Sequence, residues 1–541
     1  MKGKSVLRIL GIAMVFVLFL GLMAGCKPSM VEQGTPSISA TDPSGEQTPT
    51  ENAEEEYPAG TLVFYPDGVA KLYGEENGEV AVVNTFTGWL TKQYRYFTND
   101  APWYTSRDHI VSVIIKEGVN PKYTDYWFYE FENLTSVTIP NSVTAIGEGA
   151  FAKCTGLAEI QLPEGITDIG DGAFEGCSKL TTIQLPEGVT SIGANAFCRC
   201  TRLSGVQLPE GIASIGESAF KGCTGLTEIQ LPDSITDIGG KAFYGCTKLT
   251  GITIPKSVTH ISERLFRECS NLQSVTLPDG LASIGDSAFE FCCALTDITI
   301  PESVTSIGWS AFLGSGLQSI TIPSGVTEIS DGCFRDCKKL VSVDLPDGVT
   351  SIGIYAFSGC ESLKEITLPK KITKIDSGLF SLCSSLRSIT IPEGVKEIGE
   401  SAFYNCSSLK DVTILGSITK VGDGAFCGCS SLADLAIPKG IGEIVYSMFW
   451  GCNSLTNVRI PEGITAIDSS AFQDCKNLTG VTIPKSVTSL GYLAFYNCKN
   501  LTEIRFEGTV AQWNAIEKAS AWNKEVPAQT VLCSDGSVSL K

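Results

Sequence analysis

The chain has 541 residues and a formal net charge of −19, from 59 acidic and 40 basic side chains. Because phosphate recognition needs clustered lysine and arginine, this charge argues against nucleic acid as a partner and suits a self-repelling extracellular protein. The length would allow several ordinary domains, but an internal repeat unites most of the chain in one.

The first segment, residues 1–25, has the pattern of a bacterial signal peptide. A basic stretch at 2–8 precedes an apolar run at 9–22. This run is short for a transmembrane span, which needs about 20 residues. It leads into Met-Ala-Gly-Cys, which resembles the lipobox that directs lipid attachment to a cysteine, here Cys26. We therefore expect removal of residues 1–25 and lipid modification of Cys26.

Two further segments precede the repeats. Residues 26–57 contain Pro, Ser, Thr, Gly and Glu with few large apolar side chains, which predicts a disordered tether. Residues 58–106 are richer in aromatic and β-branched residues and show strand patterns at 61–65 and 79–83. Because the ends of a solenoid need atypical units, we expect this β-rich region to cap the repeats on the N-terminal side.

A degenerate first repeat begins near Arg107. It places Phe128, Phe131 and Leu134 in slots that later repeats fill with Phe, Cys and Leu. Bulky side chains in these slots suit a capping coil. The same region contains a cluster of four aromatic residues: Tyr123, Tyr126, Trp127 and Tyr129. This cluster belongs either to the capping coil or to an aromatic binding platform.

From Pro140 to about Glu507 one motif is repeated sixteen times. Residues 163–186 illustrate its consensus, P-x-G-[VI]-T-x-I-G-x-x-A-F-x-x-C-x-x-L-x-x-[IV]-x-[LI]-P. The spacing is 23 residues in every step except one of 22, between Pro301 and Pro323. A fixed period of this size indicates a solenoid, in which each coil buries its apolar side against its neighbours.

The apolar slots predict the geometry of one coil. The run L-x-x-[IV]-x-[LI] alternates and ends at a proline, as a strand does. The run [VI]-T-x-I-G predicts a second, short strand followed by a turn. Apolar groups in A-F-x-x-C-x-x-L recur at intervals of three, which is typical of a helical turn.

The repeat resembles the leucine-rich repeat of BspA-type bacterial surface proteins over residues 107–541. Together with the coil geometry, this predicts a leucine-rich-repeat solenoid at 107–507, with a parallel β-sheet on the concave face and short helical turns on the other. Residues 508–541 resemble the C-terminal cap of that family, and the spacing of Trp513 and Ile516 predicts a short helix there. Proteins of the family that it resembles are adhesins for host matrix proteins or other cells.

Cysteine is unusually frequent, with 21 in the chain. Fifteen occupy one slot of the repeat, from Cys154 to Cys498, and would stack in a column with neighbours about 4.8 Å apart. Ser315 fills the same slot in one repeat and Phe131 in the degenerate one. Such tolerance favours buried, reduced packing residues, although distance alone leaves disulfides between coils open. Zinc-ligand spacing is lacking, so no metal or other cofactor is expected.

Catalytic chemistry has little support in the sequence. Only two histidines exist, His109 and His260, and no phosphate loop, HExxH or nucleophile elbow is present. Carboxylates are plentiful, but most occupy variable repeat slots whose ordinary role is solvated surface. We expect a protein that is not an enzyme, with a glycan-active site in 58–106 as an alternative.

The outward positions of the L-x-x-[IV]-x-[LI] strands form two polar columns on the expected concave face. One is rich in Gln and Thr, and the other in Ser, Gly, Asp and Glu. Threonine is also simply a good exposed strand residue. Extended solenoid faces commonly bind ligands. We identify twelve candidate ligand-binding residues: Glu159, Gln161, Gln184, Gln207, Glu228, Gln230, Asp297, Glu365, Asp411, Asp434, Arg459 and Arg505.

The functional hypothesis is an adhesin-like protein on the extracellular face of a bacterial membrane. We expect its partner to be an extracellular protein or glycan and not nucleic acid. We expect it to contact the membrane only through the lipid anchor. A passive structural surface spacer is the alternative from a different class.

The signal sequence predicts that Cys26 carries the membrane anchor. A single acyl chain binds a bilayer weakly, whereas a multiply acylated cysteine is firmly held. Cell fractionation of a Cys26→Ser variant should show loss of the mature-length protein from the membrane. Retention of mature-length variant protein in the membrane fraction would contradict the prediction.

Overall fold

The described part of the chain forms a parallel β-solenoid of about 18 turns with almost no helix. This computed structural model describes residues 57–59, 61–65, 69–73, 81–85, 103–119, 121, 124–434 and 436–540. The predicted signal peptide, Cys26 and most of the predicted tether lie outside these residues, so the predictions about them stay predictions.

Strands of the L-x-x-[IV]-x-[LI] run, termed the long strands, form one face of the solenoid. Their central Ile or Val points into the core, and the two flanking residues point outward. They span Ser112–Ile115, Ser136–Thr138, Thr182–Gln184, Gly205–Gln207, Gly251–Thr253, Ser274–Thr276, Ser319–Thr321, Ser342–Asp344, Ser388–Ile391, Asp411–Ile414, Asn457–Arg459, Gly480–Ile483 and Glu503–Phe506.

Strands of the [VI]-T-x-I-G run, termed the short strands, form a second face. Each has only two residues, of which the second is buried in nearly every coil. They span Ala145–Ile146, Asp168–Ile169, Ser191–Ile192, Ser214–Ile215, Asp237–Ile238, His260–Ile261, Ser283–Ile284, Ser306–Ile307, Glu328–Ile329, Ser351–Ile352, Lys374–Ile375, Glu397–Ile398, Lys420–Val421, Glu443–Ile444, Ala466–Ile467, Ser489–Leu490 and Glu517–Lys518.

A column of stacked phenylalanine rings runs through the core from Phe151 to Phe495. Neighbouring ring centroids are 5.3 to 5.9 Å apart, and the ring planes differ by only 3 to 18°. This is the near-parallel arrangement in which aromatic pairs add to simple area burial. Truncation of a buried Phe to Ala costs about 3–5 kcal/mol in other proteins, so each ring is a major contribution to its coil.

The A-F-x-x-C segments form consecutive tight turns in place of the expected helical turns. Alternate amides bond within the coil, as from Cys154 N to Phe151 O at 3.1 Å. The amides between them reach the next coil, as from Phe151 N to Ala173 O at 2.8 Å. Gly149 (φ 57°) and Lys153 (φ 62°) have left-handed backbone, and Gly149 N also bonds to the next coil, at 2.8 Å from Asp171 O. The interval of three apolar residues is correct, but in a helix every amide would bond within its own coil.

Residues before the first repeat join the same sheet. Thr61–Phe64 pairs in parallel with Ser112–Ile115, and Val69–Leu72 pairs antiparallel with Thr61–Phe64. A further strand, Ala81–Thr85, pairs antiparallel with Val69–Leu72. A 3-10 helix, Tyr104–His109, leads into the first coil. The first predicted strand is confirmed, and the second overlaps the strand Ala81–Thr85.

The C-terminal segment contains the predicted short helix, Val510–Ala515. Thr509 begins it, with its side chain accepting a hydrogen bond from Gln512 N, a capping arrangement typical of helix starts. Trp522 lies edge-on against Phe495, with ring centroids 6.2 Å apart, and covers the last ring of the column.

The final strands extend the long-strand face. Thr530–Cys533 pairs in parallel with Glu503–Phe506 and forms a hairpin with Gly536–Ser539. The predicted domain boundaries at 58, 107 and 508 stay predictions.

The column cysteines have a hydrogen-bonding role that the sequence did not indicate. All fifteen are fully buried and free. In every case Sγ lies 3.0 to 3.2 Å from the carbonyl oxygen of the Phe in the preceding coil. A thiol is a weak donor that fits an apolar site. The slot therefore favours a small side chain that can donate to a buried carbonyl. Ser315, in the same slot, has the sulfur of Cys337 as its side-chain partner, at 3.3 Å.

The buried thiols should be inert in the native protein. Burial raises the pKa of Cys269 and Cys337 to about 12, so little reactive thiolate forms at neutral pH. Titration with a thiol reagent should label none of the column in the folded protein and all fifteen after denaturation without reductant. A denatured chain with almost no free thiol would instead indicate a ladder of disulfides.

The same raised pKa values predict alkaline unfolding. Unfolded thiols lose their protons above about pH 8.5, whereas the buried ones stay protonated until about pH 12. Their contribution is therefore complete below pH ~8.5 and falls by about 1.4 kcal/mol per thiol per pH unit as pH rises towards 12. Circular dichroism across this range should show a steep loss of structure.

Candidate ligand-binding face

All twelve predicted site residues lie at outward positions of the long-strand face, and all twelve side chains are exposed. The alternation is clear in Thr182–Gln184, where the central Ile183 is 3% exposed and both flanking residues are exposed. The phase of the predicted strands is therefore correct along the whole solenoid.

The structure brings only some of the twelve residues together. Gln184 and Gln207 are directly opposite each other in one parallel ladder. Arg459 and Arg505 lie two coils apart, with Thr482 between them in the register. The acids at the Glu159, Glu228, Asp297, Glu365 and Asp434 positions are each separated by three coils. They form a spaced row of carboxylates along the face.

Up to residue 436 the hydrogen-bonded ladder of this face is interrupted every third coil, whereas the strands from Asn457–Arg459 to Thr530–Cys533 form one unbroken ladder. Long strands pair as 182–184 with 205–207, 251–253 with 274–276, 319–321 with 342–344, and 388–391 with 411–414. Between these pairs, the described segments 159–161, 228–230, 297–299 and 365–367 lie outside any strand, as do Asp434 and Ala436. Each interruption carries one member of the row of carboxylates.

The interruptions are local. Immediately before them the coils remain bonded, with Thr181 N to Ala158 O at 3.1 Å and Thr227 N to Ser204 O at 3.4 Å. Asp and Glu are poor strand residues, whereas neighbouring coils carry mainly Ser, Thr or Gly at this slot. Asp411 lies within a ladder, so an acid alone does not open one. The period of three in the acids was present in the sequence and was missed.

A shallow depression of about 340 Å³ lies in the polar face next to one interruption. It is lined by the paired strands Ser319–Thr321 and Ser342–Asp344, by Leu345, and by Thr367 of the unpaired segment. Asp344 is the one acid in a column otherwise filled mainly by Thr and Gln. Asp344 and Thr321 were not among the predicted site residues. The departure of Asp344 from its column was the signal that could have identified them.

Positive charge near the C-terminal end of the face is compensated within the protein. Arg459 Nη2 lies 2.6 Å from Glu507 Oε1, and Arg505 pairs with Glu503. Exposed ion pairs of this kind contribute little to stability. These arginines can therefore exchange their internal partners for a ligand carboxylate at small energetic cost.

The N-terminal aromatic cluster is partly buried. Trp127 is 5% exposed and stacks on Phe64, with centroids 6.5 Å apart, while Trp103 Nε1 donates to Trp127 O at 3.2 Å. Tyr126 and Tyr129 contact each other edge to face at 5.9 Å, and Tyr123 lies outside the described residues. Trp127 therefore belongs to the core, and an exposed tryptophan platform does not form at this position.

The described ranges lack two further kinds of feature. Within them, no three His, Cys, Asp or Glu side chains are arranged to hold a metal ion. In the same part of the chain, no helix combines the length and apolar character needed to cross a membrane.

Comparison with known proteins gives a family for the repeat region. The family described as BspA type leucine-rich repeat region (6 copies) matches residues 122–224, 190–317, 305–432 and 397–518. No curated protein matches the chain.

Solved structures of bacterial leucine-rich-repeat proteins are also similar. A leucine-rich cell-surface protein from Faecalibacterium prausnitzii is 31% identical, over 70% of this chain and 86% of its own, with a TM-score of 0.36. A leucine-rich repeat protein from Bacteroides ovatus is 26% identical, over 82% and 91%, with a TM-score of 0.37. The leucine-rich repeat protein of T. pallidum is 32% identical, over 34% and 78%, with a TM-score of 0.25.

The interrupted ladder predicts a periodic pattern of amide exchange. Unpaired backbone amides exchange faster than those in a ladder. In hydrogen-exchange mass spectrometry, peptides covering 159–161 and 228–230 should therefore exchange faster than those covering 182–184 and 251–253, which serve as matched controls. Equal protection of the two sets would show that the ladder is continuous in solution.

Proposed function

Because the chain belongs to the BspA-type leucine-rich-repeat family, we propose that it is a cell-surface binding protein that engages an extracellular protein or glycan through its long-strand face. The observation that supports this proposal is the continuous polar surface of the long strands. Twelve candidate contact residues are exposed along it, and a shallow depression lies beside one of the ladder interruptions. Solenoids commonly bind extended ligands on such faces.

The chemistry of this face favours many weak contacts. Its side chains are mostly Ser, Thr, Gln, Asp and Glu, without the exposed aromatic anchors that dominate compact interfaces. Amide and hydroxyl groups both donate and accept, so they suit glycan hydroxyls and protein backbone alike. The carboxylates and the two arginines make part of the affinity dependent on salt.

The proposed location is the outer face of the bacterial membrane, with Cys26 as the lipid anchor. The charged and apolar signal pattern supports the anchor. The Faecalibacterium prausnitzii relative is a cell-surface protein. The proposed role is adhesion to host matrix proteins, other cells or glycans, without a catalytic step.

A screen of the full-length protein against matrix proteins and glycans should identify a ligand. Changing Gln161, Gln184, Gln207 and Gln230 together to Lys should then weaken binding by disturbing one continuous column, with unchanged circular dichroism. Exposed substitutions rarely affect stability by more than about 0.5 kcal/mol each.

A matched control places four lysines on the short-strand face of the same coils. The changed residues are Thr167, Thr190, Ala213 and Thr236, which are also exposed. This control should bind normally. Loss of binding in the control set alone would place the ligand-binding site on the short-strand face and contradict the proposal. Failure of any matrix protein or glycan to bind would favour the passive spacer.

A further inference from the structure

A second recessed surface lies on the side of the tight turns, far from the long-strand face. It has a volume of about 540 Å³ and spans the coils around the one 22-residue step of the repeat. We term it the turn-side pocket. Its main lining residues are Asp286, Trp309, Glu328, Asp331, Ile354 and Tyr355.

The pocket contains large apolar side chains where the repeat normally has none. Trp309 is 45% exposed and Ile354 is 40% exposed. Both occupy the slot that follows the I-G pair of the repeat. In the other matching coils this slot holds Asp, Glu, Ser, Ala or Gly, with Tyr446 and Tyr492 as the two exceptions. Packing of the coil therefore does not require an indole or a branched chain at this position.

Carboxylates flank these apolar groups and are held in place by the backbone. Asp286 Oδ1 accepts a hydrogen bond from Trp309 N at 2.9 Å, and Asp331 Oδ1 accepts one from Ile354 N at 2.8 Å. Each bond occupies one carboxylate oxygen and fixes the orientation of the other. Glu328 adds a third, exposed carboxylate from its short strand. Acidic and apolar groups therefore alternate across the pocket.

Positive charge does not balance these acids. Arg335 is the basic residue of the lining, and its Nε pairs with Asp336 Oδ2 at 3.6 Å while the guanidinium lies 5.4 Å from the Tyr355 ring centroid. The charge of Lys374 also reaches Asp331. Three carboxylates and one guanidinium line the pocket itself, so the formal charge of its lining is −2 beside an exposed indole.

The indole of Trp309 already has a cation near it from inside the protein. The guanidinium carbon of Arg264, two coils earlier, is 6.0 Å from the ring centroid. The pocket extends from Trp309 in the opposite direction, toward the coils of Asp331 and Ile354. An indole ring is the best aromatic partner for a cation.

We propose that the turn-side pocket binds a lysine side chain of a partner protein. The ammonium group lies beside the Trp309 ring and the carboxylates of Asp286 and Glu328, and the methylene stem covers Ile354. This division follows from the amphipathic character of lysine, whose stem is apolar and whose head is charged. Charge complementarity favours lysine over a neutral sugar, which would use the ring but not the surplus of carboxylates. The inference does not depend on the proposed role of the long-strand face.

The test uses full-length protein and a blocked hexapeptide with two lysines among glycines, measured by calorimetry. Trp309→Ser removes the ring and installs a residue that this slot accepts at Ser377 and Ser469. The matched control is Tyr492→Ser, which removes an aromatic ring that is 51% exposed from the same slot elsewhere. Trp309→Ser should weaken binding roughly tenfold, and Tyr492→Ser should leave it unchanged.

Two further arms identify the ligand chemistry. Glu328→Gln should weaken binding and reduce its salt dependence, because one exposed carboxylate is lost. A peptide with norleucine in place of both lysines should not bind. Equal weakening by both serine variants, no binding of the lysine peptide to the unaltered protein, or binding of a neutral oligosaccharide in a Trp309-dependent manner without binding of the peptide would each overturn the proposal.

Discussion

The phenylalanine column sets a spacing that the rest of the solenoid has to accommodate. Equivalent rings are displaced by 5.3 to 5.9 Å from coil to coil, whereas hydrogen-bonded parallel strands prefer about 4.8 Å. The difference of roughly 0.7 Å per coil accumulates along a stack of this length. Either the stack bends continuously or some ladder steps open. On the long-strand face they open at every third coil as far as residue 436, and the stacked core continues across each opening.

The buried and the outward side chains of a coil therefore have different roles. The buried columns of Phe, Cys, Leu and Ile hold successive coils together and are nearly invariant from coil to coil. The cysteines belong to this set because their thiols also donate to the Phe carbonyls of the preceding coil. The outward columns are free of these constraints, and sequence variation is concentrated there. The long-strand face uses the regular outward columns, whereas the turn-side pocket lies where an outward slot departs from its usual residue.

Much of the fold follows directly from the sequence period. The phase of the repeat identifies Phe174 and Ile183 as buried and Gln184 as exposed, and the structure agrees in each case. The opening of the ladder at Glu228 was not predicted, because it arises from competition between core spacing and strand pairing over several coils. The turn-side pocket at Trp309 was missed for another reason. It combines residues from four coils, and no single repeat contains it.

The strands run across the solenoid, so its hydrogen bonds between coils point along its length. Tension applied between the two ends would load these bonds directly. The open steps then divide the long-strand ladder into short units joined by weaker seams. Under tension the solenoid should lengthen by separating at these open steps one after another, while the stacked phenylalanine rings keep the coils of each unit in register. The solenoid would then be extensible along its axis, with its weaker contacts between coils placed at regular intervals.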